Sequence, residues 1–98
     1  MISEIFYINV NCFSGRCKPK EIKEKILSTE YGNLIISSET IFNDRERKIA
    51  SLFRMEDVRG LSRGEIGKII KSELNKLPYR TKTEIMTPDE VTRRFEND

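Results

Sequence analysis

The apolar positions of this chain come in two kinds of run, some continuous and some spaced three or four apart. Residues 5–10, Ile-Phe-Tyr-Ile-Asn-Val, are β-branched and aromatic with polar flanks. That pattern predicts a strand buried on both faces. Residues 11–18 follow as a loop, with turn chemistry at Ser14-Gly15. Pro19 suits the first position of a helix over 19–28. Ile22, Ile26 and Leu27 would share one side of it before Tyr31-Gly32 ends it. Leu34 to Phe42 reads as one strand, with no Asn-Gly or Asp-Gly to fold it into a hairpin.

Asn43 stands three residues before Glu46, the spacing of a capping box. With Ile49, Leu52 and Phe53 beyond it, this predicts a helix over 44–56. A second box, Ser62 to Glu65, opens a helix over 62–77. Ile66, Ile69, Ile70, Leu74 and Leu77 fall on one face of it, and Pro78 stops it. Residues 80–86 alternate Thr81, Thr83 and Ile85 with Lys82 and Glu84, as a half-exposed strand does. Thr87-Pro88-Asp89-Glu90 supplies an N-cap, a proline at the first helical position and two acids in the first turn. Val91 and Phe95, four apart, would pack this last helix inward, and Asn97-Asp98 would fray.

The order is therefore β-α-β-α-α-β-α, within a single α+β domain over 1–98. Two arrangements satisfy it. One is a small mixed sheet of about three strands with four helices. The other is winged-helix-like, with 80–86 as the wing and the first strand completing the sheet.

Composition narrows the class. In 98 residues, 37% hydrophobic and 35% charged, there is enough apolar surface for a small core, and the balance is wrong for a disordered tail. No apolar run reaches membrane-spanning length, and the first residues lack a basic segment and a long apolar stretch. The expectation is a cytoplasmic protein with no membrane partner. Histidine is absent. That removes the commonest general base and metal ligand. Cys12 and Cys17 alone cannot complete a four-ligand zinc site in one chain. Reduced thiols are the default expectation, and a disulfide across so short a loop would add little stability. No cofactor, no metal and no catalytic residue are expected.

Charge is unevenly placed. The net +2 is balanced through residue 58, then carries seven basic and two acidic residues from Arg59 to Lys82, then two basic and five acidic from 83 on. On the 62–77 helix, Lys68, Lys71 and Asn75 lie opposite the apolar stripe. Cations for phosphate and an amide for a base edge are what a nucleic-acid-reading helix presents, although a Lys-rich outer face is also the ordinary solvated side of an amphipathic helix. The candidate DNA or RNA contacts are Arg59, Arg63, Lys68, Lys71, Asn75 and Lys76, with Arg80 and Lys82 on the following strand.

Gly60-Leu61-Ser62-x-x-Glu65-Ile66 resembles the opening of helix-turn-helix units in sigma factors and response regulators, over about eight residues. The resemblance stops at Lys71, where that pattern has a glycine turn, and at Pro78, inside the would-be second helix. One continuous helix is the better reading, and no family roles carry over.

A second candidate is an anion site at Arg16, Lys18 and Lys20, where a loop enters a helix N-terminus. It matches no Walker motif, and as an ordinary strand-to-helix loop it needs no function. The sequence thus predicts a small non-enzymatic nucleic-acid-binding or regulatory protein. The rival is a protein-interaction module, an inhibitor or adaptor of the compact kind that viruses and mobile elements encode, or a homodimer, using exposed apolar residues such as Phe13. The third reading is a small metal-dependent nuclease or ribonuclease, drawing on Lys82 and Glu84 or on Tyr79 and Arg80.

Overall fold

The computed structural model describes residues 4–43 and 48–96. The elements are β1 (Phe6–Cys12), α1 (Pro19–Leu27), a one-turn 3-10 helix (Gly32–Leu34), β2 (Ile35–Asn43), β3 (Lys48–Met55), α2 (Arg63–Leu74), β4 (Thr81–Met86) and α3 (Pro88–Glu96). The four strands form one antiparallel sheet in the order β2-β3-β1-β4. Helix α1 joins β1 to β2 and α2 joins β3 to β4. This is the interleaved βαββαβ topology of split-βαβ, ferredoxin-like domains, with α3 added at its end.

Three expectations are corrected. The sheet has four strands and three longer helices, it is wholly antiparallel rather than mixed, and it leaves no winged-helix arrangement. All three corrections come from one segment. Residues 48–55, expected to be helical, are β3, an inner strand between β2 and β1. Ile49, Leu52 and Phe53 do fit a helical stripe. They fit equally a strand buried on both faces, where apolar side chains need not alternate. The proposed capping box rests on 44–46, outside the described residues, as do Asn97 and Asp98.

Elsewhere the local signals and the elements agree. β1 is central, with Ile8 through Cys12 all buried. Both remaining caps form. Ser62 Oγ accepts from the Glu65 N–H at 3.4 Å. Thr87 Oγ1 accepts from the Glu90 N–H at 3.3 Å, and Glu90 Oε1 accepts from the Thr87 N–H at 3.0 Å, closing a reciprocal box. Helix α2 is shorter than expected, because 3-10-type bonds from Lys76 N–H to Glu73 and from Leu77 N–H to Leu74 tighten the chain ahead of Pro78.

Strand alternation divides the sheet into two faces. Ile8, Val10, Cys12, Phe53, Met55 and Ile85 meet Ile22 and Ile26 of α1 and Ile66, Ile70 and Leu74 of α2 in one apolar core. The opposite face carries Tyr7, Asn9, Asn11, Leu52, Glu84 and Met86. Helix α3 lies on that side, and Val91 and Phe95 border a cleft with Tyr7, Ile41 and Leu52. Gly32 is required where the chain turns back from α1. A Cβ there would collide with the Leu27 carbonyl.

Cys12 and Cys17 are joined as a disulfide, which replaces the expected free thiols. The turn between them, closed by the Cys17 N–H on the Ser14 carbonyl at 3.2 Å, brings their Cα atoms to 6.2 Å. That separation lies within bridging range. No helix of the described residues is long and apolar enough to cross a membrane.

Candidate nucleic-acid interface

Helix α2 places its cations as the periodicity requires. Ile66, Ile70 and Leu74 are buried while Lys68, Lys71 and Asn75 are exposed. Steps of three and four residues put those three on one stripe. The stripe continues past the helix end. Asn75, its C-cap, shares a concave surface of about 540 Å³ with Pro78, Tyr79, Arg80 and Thr81. Arg80 thus neighbours Asn75 in this cleft, while Lys68 and Lys71 lie outside its lining, further up the same helix face.

The other predicted contacts are placed differently. Arg63 pairs with Glu90 of α3 at 3.2 Å, and Lys76 pairs with Glu73 at 3.0 Å. Each of these cations is partly neutralised at home. Arg59 lies in the loop before α2, where Asp57 and Gly60 take positive φ of 59° and 81°, conformations that aspartate tolerates and glycine favours. Lys82 alternates with the α2-facing Thr81 and Thr83 and so stands on the α3 side of the sheet. It cannot share a surface with the outer face of α2.

In the loop that leads to Lys20, the amides of Arg16, Cys17 and Lys18 are already bonded within the fold. The Arg16 N–H bonds to Ser14 Oγ at 3.1 Å, the Cys17 N–H to the Ser14 carbonyl, and the Lys18 N–H to Tyr79 Oη at 3.3 Å. Pro19 has no N–H to offer. Arg16, Lys18 and Lys20 are themselves exposed.

Tyr79 has a part the sequence did not reveal. Its ring is buried, and its hydroxyl lies 3.0 Å from Glu21 Oε1 and 3.4 Å from the Lys18 carbonyl. It fastens the first turn of α1 to the chain leaving α2. Burial pushes its phenol up, the Lys18 N–H pulls the other way, and the Glu21 carboxylate adds to the rise. Glu84 accepts two bonds from Arg94 Nη1, both at 2.9 Å. Of the side chains that a nuclease or ribonuclease would draw on, Tyr79 and Glu84 thus have their polar atoms bonded within the fold. A long-range partner such as Arg94 leaves no trace in local spacing, which is why sequence pattern missed both contacts.

No family model matches the chain, and no curated protein matches it. Among solved structures, it is similar to an uncharacterized protein, TM1266, from Thermotoga maritima. The two are 10% identical, the match covers 86% of this chain and 98% of the other, and the TM-score is 0.50. At that identity the likeness is one of fold.

Proposed function

We propose that this protein is a non-enzymatic nucleic-acid-binding domain that contacts the phosphate backbone through the outer face of α2 and the turn after it. The observation that carries this reading is the exposed stripe of Lys68, Lys71 and Asn75, with Arg80 beside Asn75 in the cleft at the helix end. Among the described residues none of these three cations is in an ion pair. Their charge is available to phosphate, and Asn75 adds an amide able to donate to and accept from a base edge. Arg63 and Lys76 take secondary places, since each would have to exchange a carboxylate for a phosphate.

Three phosphate contacts set the expected salt dependence. The slope of log K against log salt should be about −3 on a duplex. Fluorescence anisotropy at two or more salt concentrations measures it. Lys68→Glu with Lys71→Glu should abolish most of the binding while leaving the circular dichroism spectrum unchanged. Undiminished binding by that variant, or none by the wild type at low salt, overturns the reading.

A protein-partner reading is favoured by a different feature. Phe13 is 57% exposed and Phe42 66% exposed. Both lie at the sheet end where β1 and β2 finish and β3 begins. Lys48 Nζ sits 5.8 Å from the Phe13 ring centre, a cation–π distance. Under this reading, Phe42→Ser lowers self-association in light scattering and leaves nucleic-acid binding untouched.

A further inference from the structure

Ser51 is the polar exception on the core side of β3, between Ile49 and Phe53. It is 2% exposed, and its Oγ has no hydrogen-bond partner. A buried hydroxyl left unpaired is costly, and a ligand that pairs it gains by doing so. The β2–β3 register sets Thr40 opposite Ser51 and Ser38 opposite Phe53. Across from this patch stand Pro19, Lys20 and Lys23 of α1. Together they enclose a pocket of about 240 Å³. Glu39 also borders it, but strand alternation turns its side chain to the other face, where it borders the α3 cleft.

We propose that this pocket binds a phosphate group, as the free anion or as a small phosphomonoester. Ser38, Thr40 and Ser51 line one wall, and Lys20 and Lys23 line the other. Lys20 and Lys23 are one helical turn apart and exposed, and among the described residues neither is in an ion pair. As the second residue of α1, Lys20 also has an N–H with no acceptor inside the helix. Ammonium groups bring the anion in through charge-assisted bonds. The Ser51 hydroxyl, a donor at the buried end, acquires the partner it lacks. Tetrahedral phosphate has enough acceptor oxygens to meet both walls at once, which a planar carboxylate does not. The volume suits a single small group. The site does not depend on the nucleic-acid reading. It lies over β2 and β3, whereas α2, on the same face, packs over β4 at the opposite edge of the sheet.

The test is an NMR titration of the full chain with inorganic phosphate and with glycerol phosphate, at constant ionic strength. Saturable shifts at residues 20–23, 38–40 and 51 are expected with at least one of the two, and the tighter binder identifies the source. Lys20→Ala with Lys23→Ala should weaken binding by about tenfold or more. Ser51→Ala should weaken it by about tenfold while thermal unfolding stays the same or rises, because the substitution removes an unpaired buried hydroxyl. Linear, unsaturated shifts overturn the proposal. So does binding that neither variant weakens, or a response at these residues to oligonucleotide alone.

Discussion

The two faces of the sheet are held by different physics. On one, α1 and α2 bury Ile22, Ile26, Ile66, Ile70 and Leu74 against β1 and β3. On the other, none of residues 88–95 of α3 is fully buried, and Val91 and Phe95 remain half-exposed. Its anchors are polar: the Thr87–Glu90 box, Arg63 to Glu90 and Arg94 to Glu84. Beneath it the face includes Asn9 and Asn11, buried with Oδ1 atoms that lack partners. Apolar burial fixes the α1/α2 layer cooperatively. The α3 layer is positioned by a few directional contacts, each worth little alone. The lesson is that α3 should open without unfolding the rest.

The difference between the two faces should show most strongly in the cost of truncating a core side chain. Ile70→Ala should cost about 3 kcal/mol in urea unfolding. Phe95→Ala should cost about 1 kcal/mol, in keeping with partial burial. Equal losses would mean that the faces are equally part of the core.

A sharper and smaller effect concerns the cap. Thr87→Ala should cost about 1 kcal/mol and speed amide exchange in α3 alone. The same cap gives a pH signature. Bonds from the Thr87 N–H and hydroxyl, with Arg63 nearby, hold the Glu90 carboxyl below its ordinary value of 4.5. A depressed carboxyl stabilises the fold fully above its unfolded value and loses that contribution as pH falls through the folded value. Acid titration followed by NMR should therefore release α3 below about pH 4.5 before the α1/α2 layer. The smallest effect is Arg94→Ala. A half-exposed pair contributes at most about 1 kcal/mol, and 1 M salt should erase most of the difference between variant and wild type.

Much of this architecture was legible from local chemistry. The boxes at Ser62 and Thr87, the proline opening α1 and the burial of β1 on both sides all follow from residues close in sequence. β3 was not legible, because a short apolar run buried on two faces mimics a helical stripe. That single misreading also concealed Ser51. In a helix it would be one more solvated serine, whereas in a strand whose alternate positions face the core it is an anomaly. Of the interface, spacing located Lys68, Lys71 and Asn75. It could not foresee that Arg63 meets Glu90, although the Glu73–Lys76 pair, three residues apart, and the alternation that turns Lys82 away were local. The Arg63 contact joins residues 27 positions apart.

The interleaved strand order has a consequence for how the chain assembles. β1 leaves the ribosome first, yet both of its neighbours, β3 and β4, come much later. It is a central strand that waits, destined for burial on both sides, until residue 86 has been made. Closure of such distant pairs is slow compared with forming helices. The folding barrier should therefore lie in docking β1 between its two partners. Until then, the segment from Phe6 to Cys12 is the part of the nascent chain most in need of shielding.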